Sequence, residues 1–333
     1  MLTTLPAGVV TAVGSLPHVD AVAAAHLVLE LLPELPAIPS LPRRSPAEGM
    51  IAQAAVGIRG VHVDDDGDLV VDVDRLDPAH PVATDLDHDA FGGFRAFLDV
   101  AHGRRDPVKW QLTGPVTLGT ALVQAGAPAE VAYAVAAGAV RARSRALAAA
   151  VADALPHAPQ VVVLDEPALV GLGRPEFPLG PDPAADLVSG GLAGLEPTHT
   201  TGVHCCGPTD VATLLAAGPA VLSVPAGPEL LAVGGTLAGL LEAGGWVAWG
   251  AVPTDRPIGG SADRFWRALA GLWCELVKVG VDPVRVRTQA ILTPACGLAA
   301  HTPEQAEQVL RTTARIAARV HQQATAVRFS AGA

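Results

Sequence analysis

The stretch "VVVLDEP" at residues 161–167 decides the reading of the fold. Three valines and a leucine run without a polar break, then an acidic pair and a proline follow. A strand of a half-exposed sheet alternates apolar and polar residues, whereas a parallel strand covered by helices on both faces reads as a continuous apolar run. The segment therefore predicts a buried parallel strand. Its end is marked by Asp165 and Glu166, because a carboxylate there is costly unless it faces a pocket, is paired or is hydrogen-bonded. Both are candidate catalytic groups.

Runs of the same kind recur along the chain: "VVTAVGS" (9–15), "VKWQLTG" (108–114), "THTTGVHC" (198–205), "AVLSVPA" (220–226), "WVAWGAV" (246–252) and "VRVRTQAIL" (284–292). Helical patterns fall between them, clearest at 128–155, 209–217, 229–243, 262–279 and 303–321. Ser261 and Thr302 stand as N-cap candidates, and Pro303 sits at a first helical position. About eight β-then-α units in one chain of this length predict an α/β fold, a (β/α)8 TIM barrel, as a single domain over 1–333. An open doubly wound sheet lacks support, since no GxGxxG follows the first strand. Two segments break the pattern. Residues 33–46, "PELPAIPSLPRRSP", exclude regular helix. Residues 61–74, "VHVDDDGDLVVDVD", predict a β-hairpin insertion turning at "DDGD", whose acidic residues lack the spacing of a calcium loop.

The 333 residues are 50% hydrophobic but only 4% aromatic, so the core must be built from Ala, Val and Leu. A net charge of −11 argues against non-specific nucleic-acid binding, which needs a basic face. The Ala-rich stretch 131–155 is interrupted by Arg141, Arg143, Arg145 and Asp153 and predicts an amphipathic helix, not a membrane span. The N-terminus lacks the pattern of a signal peptide. The four cysteines form no CxxC pair, so a reduced, cytoplasmic protein is expected.

In a barrel of this kind catalytic groups sit where strands end and loops begin. Polar residues do collect there: Gly14 and Ser15, Thr113 and Gly114, Asp165 and Glu166, His204 and Cys206, and Cys296 within "TPACGL" (293–298). Residues two apart on a strand point the same way, so His204 and Cys206 share a face and Cys205 points opposite. Cys296 comes from a distant strand end that a barrel would bring to the same rim. A histidine and two thiolates suit zinc; buried thiols beside a core histidine are the alternative. His199 is a core histidine or one hydrogen-bonding near such a metal, His18 a surface-loop residue or one lining the pocket, and Trp249 a core residue or one facing substrate; Asp87 is a candidate helix cap.

Together "VGSLP" (13–17), "LTGPVTL" (112–118), "LDEPAL" (164–169), "HTTGVHCCG" (199–207) and "TPACGL" resemble, in order and over nearly the whole chain, the C-terminal catalytic barrel of cobalamin-independent methionine synthase. That barrel belongs to a wider superfamily with uroporphyrinogen decarboxylase. The resemblance implies a zinc-dependent methyltransferase that moves a methyl group to a small-molecule thiol, homocysteine giving methionine. Methyl-tetrahydrofolate or a methyl-corrinoid protein would be the donor. By position it implies His204, Cys206 and Cys296 as zinc ligands. Gly14, Ser15, Asp165 and Glu48 become amino-acid contacts. Four departures accompany it. The family's glutamate ligand falls at Pro225, its catalytic histidine at Ala251, its folate-stacking tryptophan at Ala121 and a folate-contacting glutamate at Gly171. The thiol side is largely kept and the folate side largely lost. The competing expectations are a metal-free decarboxylase-like barrel and a decayed barrel that binds a ligand without turnover.

Overall fold

The computed structural model describes residues 5–64, 67–259 and 261–331. Among the described residues there are nine strands: β1 (Val9–Val10), β2 (Val61–Val63), β3 (Leu69–Val71), β4 (Val108–Thr113), β5 (Gln160–Asp165), β6 (Thr200–His204), β7 (Val221–Pro225), β8 (Trp246–Val252) and β9 (Ala290–Pro294). The helices are α1 (Ala21–Leu31), α2 (Met50–Ala55), α3 (Gly92–Val100), α4 (Pro115–Gln124), α5 (Ala129–Ala154), α6 (Pro181–Ala193), α7 (Val211–Ala216), α8 (Gly234–Glu242), α9 (Asp263–Lys278), α10 (Arg285–Thr288) and α11 (Pro303–Ala331). Seven strands form one curled, all-parallel sheet in the order β1-β9-β8-β7-β6-β5-β4, and β2 and β3 form the separate antiparallel hairpin. Of the expected hairpin turn, residues 65 and 66 lie outside the described residues.

The continuous apolar runs bury both faces, as parallel strands between two apolar layers must. On the concave side Val9, Val161, Val163, Val221, Trp246, Ala248 and Ile291 pack with Leu5 and Leu35 into a small core. The alternate residues, such as Val162, Leu164 and Val203, join the larger layer between sheet and helices. Trp249 belongs to this outer layer and meets Trp273 edge-on at 5.8 Å, so it does not face a substrate. At Thr302 the helix start follows the sequence signal, whereas α9 begins after Ala262, with Ser261 Oγ accepting from the Asp263 amide at 3.3 Å. Asp20 accepts from the Val22 and Ala23 amides, and Thr302 and Gln305 form a reciprocal capping box.

Two stretches differ from expectation. The segment 284–292 is not one strand: Asp282 accepts from the Val284 and Arg285 amides and starts α10, and only then does β9 begin. His88, not Asp87, caps the turn before α3, its Nδ1 accepting from the Ala90 amide. The Pro-rich segment behaves as an irregular strand between the sheet edges. Ile38 donates to the Lys109 carbonyl on β4 at 2.8 Å, while Ser40 donates to the Gly14 carbonyl at 3.3 Å, following β1. In a regular strand amides two apart point the same way; here they serve opposite neighbours across Pro39.

One buried cation ties the insertion to this frame. Arg143 of α5 donates to the Val56 carbonyl and, at 3.2 Å, to that of Ala83, and stacks 4.9 Å from the Phe91 ring centre. Arg143→Ala should cost about 2–3 kcal/mol, the worth of hydrogen bonds to a charged donor. Urea denaturation measures it; a loss near zero would mean that these carbonyls find other partners.

Candidate functional site

The parallel register sets the site. Thr113, Asp165, His204 and Ser223 are Cα partners in turn across β4, β5, β6 and β7. Their side chains therefore stand in one row at the C-terminal end of the sheet, on its concave side. His204 is buried and shares a 2.9 Å hydrogen bond between Nδ1 and Ser223 Oγ. Its Nε2 is buried without a partner among the described residues. Cys206 follows two residues later on the same face. Cys205 turns the other way, sealed in the outer layer, and burial pushes its thiol up to about 11.

Cys296 arrives from the loop after β9. Among the described residues, His204, Cys206 and Cys296 form the one group of three potential ligands whose donor atoms all lie within 4.8 Å of one another. The two thiols act on each other: Cys296 and His204 draw Cys206 down to about 4, while the neighbouring Cys206 and burial push Cys296 up. One thiolate is thus stabilised at the expense of the other, as expected when two sulfurs compete for one proton. An orphaned imidazole nitrogen beside two such sulfurs fits a soft divalent metal such as zinc.

These groups line a cavity of about 270 Å3 together with Ser15, Gln111, Thr113 and Asp165. Asp165 is buried and its Oδ1 has no hydrogen-bond partner among the described residues. Burial raises its pKa, against the fields of His204 and Lys109, which favour the charge. An unpartnered carboxylate oxygen in a cavity is a receptor for a cationic or donor group of a ligand. Gly14 lines up beside Gln111. Its φ is +140°, and a Cβ there would lie 2.0 Å from Gln111 Nε2.

Not every sequence candidate joins this cavity. Glu166 points into the outer layer and holds the start of α4, accepting from the Val116 amide at 2.9 Å and from the Thr117 amide and hydroxyl at 2.7 and 2.6 Å. Gly114 permits this approach, since a Cβ there would sit 2.2 Å from Glu166 Oε1. "GPVT" and "DEP" are thus two halves of one anchor. Glu48 is also locked away: it accepts from Arg44 Nε at 2.5 Å and from the Leu41 and Gly93 amides at 2.7 and 3.2 Å. His199 hydrogen-bonds to Leu195 and Thr198 before β6 begins, at the far end of the strand from His204. His18 is not among the residues that line the cavity. Lys109, Gln111 and Ser223 were not singled out; all three lie on strands with their side chains on the concave face, and alternation counted from Thr113 and His204 could have found them.

Burial raises Glu166 from 4.5 to about 7, against three hydrogen bonds that favour its charge. The folded state then binds this proton more tightly than the unfolded chain. Its contribution to stability is complete below about 4.5 and is lost as pH rises to about 7. Glu166→Gln should flatten that decline by up to about one proton in urea-denaturation stability measured from pH 4.5 to 7.5. An unchanged slope would place the titration elsewhere.

No protein-family profile matches the chain, and no curated protein does. Solved structures do. A B12-independent methionine synthase from a Shewanella species, in complex with selenomethionine, superposes with a TM-score of 0.62 at 15% identity, over 96% of this chain and 99% of that one. A putative vitamin-B12 independent methionine synthase from Listeria monocytogenes gives 0.63 at 14% identity, again over 96% and 99%. The chain shares its fold with these proteins from end to end.

Proposed function

We propose that this protein is a catalytic-barrel member of the cobalamin-independent methionine synthase family and transfers a methyl group to a thiol held at His204, Cys206 and Cys296. The observation that carries the reading is the meeting of these three ligand atoms within 4.8 Å beside the unpartnered Asp165 oxygen. The whole-chain likeness of fold to proteins bearing that name supports it. The sheet is read as a closed (β/α)8 barrel whose eighth position is the segment 36–40, because that segment hydrogen-bonds to both β4 and the chain after β1. The four cysteines are free thiols, which suits a reducing compartment.

Zinc bound there supplies a Lewis acid that keeps an acceptor sulfur as thiolate near neutral pH. The chain's own residues do the rest. Ser223 fixes the His204 ring through Nδ1 and leaves Nε2 free to ligate. Asp165 takes the ammonium of an amino-acid thiol, homocysteine, and Gly14 and Ser15 shape the wall beside it. The cavity, about 270 Å3, falls just below the usual range of small-molecule sites and suits a small amino acid better than a whole pterin donor. The donor therefore presents only its methyl group at the mouth. A methyl-corrinoid protein fits the loss of the folate positions at Ala121 and Gly171 better than methyl-tetrahydrofolate. Pro225 cannot ligate, and no further His, Cys, Asp or Glu joins the group among the described residues. The metal would keep three protein ligands and an open position for the acceptor.

Protein purified under reducing conditions should carry about one zinc per chain. Cys206→Ser and Cys296→Ser should each lose it, and Cys205→Ser should keep it; a metal-free wild type would overturn the assignment and favour a decarboxylase-like barrel. Asp165→Asn should raise the KM for homocysteine roughly 10- to 100-fold, the worth of a charged hydrogen bond. Turnover with methylcobalamin or methyl-tetrahydrofolate identifies the donor. Zinc with no turnover on either would indicate a binding barrel.

A further inference from the structure

We infer that Lys109 is a positioning residue, a buried ammonium that pegs the 13–16 loop in place so that the amino-acid end of the acceptor has a fixed wall to dock on. The ligand half of this inference rests on the function proposed above; the structural half does not.

Lys109 lies on β4 with its side chain on the concave side, only 4% exposed. Its Nζ donates to the Val13 carbonyl and, at 2.9 Å, to Gln111 Oε1. Gln111 in turn donates to the Ile38 carbonyl at 3.1 Å and fills the space that a side chain at Gly14 would need. From Gly14 the contacts run on. Ser40 donates to the Gly14 carbonyl, Leu16 donates to the Ser40 carbonyl at 2.9 Å, and Leu298 donates to the Ser15 carbonyl at 2.9 Å. Leu298 stands two residues beyond Cys296. One ammonium thus heads a continuous set of hydrogen bonds that spans the substrate loop, the irregular strand and the loop bearing a candidate ligand.

Stability alone does not account for a cation at this place. A whole buried ion pair replaced by apolar residues of similar shape is often neutral or stabilising, so a buried cation is weak evidence for a purely stabilising role. Burial lowers the Lys109 pKa to about 8, with Asp165 opposing the shift. Beneath the site a cavity of about 20 Å3 is lined by Lys109, Thr11, His204, Ser223 and Thr293 among others, and Thr11 Oγ1 has no partner there among the described residues. Lys109 lines this small cavity and also bonds the Val13 carbonyl of the loop.

Amide hydrogen exchange on Lys109→Met tests the peg directly, with Leu16, Ser40 and Leu298 as reporters. Their protection should fall at least tenfold while that of the amides of β6 to β8 holds. Isothermal titration should show the Kd for L-methionine rising at least tenfold, with that for 2-mercaptoethanol, a thiol without an amino-acid end, unchanged. Gln111→Met keeps the ammonium but cuts its link, and should deprotect the same three amides; it decides the matter if Lys109→Met does not fold. Wild-type protection at those amides in a folded variant, or equal weakening of both ligands, would overturn the inference. A wild type that binds no methionine would instead sink the proposed function, and exchange would still decide the role of Lys109.

Discussion

The site depends on one constraint, the in-register parallel pairing of β4 to β7. Because each partner lies level with the next, Thr113, Asp165, His204 and Ser223 share a row, and the concave face of a curled sheet turns that row inward. A one-residue slip of β6 would carry His204 into the helix-facing layer and bring Cys205 into its place. The apolar residues at alternate positions, Val161 and Val163 inside, Val162 and Leu164 outside, resist such a slip because both layers are already filled. Chemistry at the rim is therefore fixed by packing lower in the strands.

Much of this is visible in the chain before folding. Continuous apolar runs mark the parallel strands, and the i, i+2 rule separates Cys206 from Cys205. What escaped is what depends on geometry across distant segments. The residues 36–40 carry two prolines and read as a breaker, yet the missing amides fall where no ladder bond is required, and the segment bridges β4 and the chain after β1. Residues 284–292 look like a strand because Val284 and Val286 alternate with arginines; Asp282, a local cap, overrides that pattern. Glu166 was indistinguishable from Asp165 as a candidate. Only alternation places one in the cavity and the other against α4, and the acidic pair divides its duties accordingly.

Three buried ionisable side chains on β4 and at the end of β5 show how the fold spends charge. Glu166 is surrounded by donors from a helix start, where a carboxylate is favoured by both the free amides and the helix dipole. Lys109 has two acceptors. Of the three, Asp165 alone keeps an oxygen without a partner among the described residues. In a native interior such a group is rare, and its neighbours reduce its cost without satisfying it: His204 and Lys109 favour its charge, Cys206 opposes it. That open oxygen distinguishes Asp165 from Glu166 and Lys109, whose polar atoms are bonded to the frame.

Pro225 bears on the electrostatics of the same site. It ends β7 opposite Gly250, two residues beyond Ser223, so its ring stands on the concave side where a fourth ligand could have stood. With two thiolates and a neutral imidazole, a divalent ion would be formally neutral, and an acceptor thiolate would take the assembly to a charge of about −1. A carboxylate in place of Pro225 would make it more negative and would have to yield or crowd when the acceptor bound. The proline removes both effects. An acceptor would then meet an open position on a neutral centre, with the buried ammonium of Lys109, bonded to the neighbouring loop, below it. A proline at position 225 and a cation at position 109 are thus compatible with the proposed thiol binding.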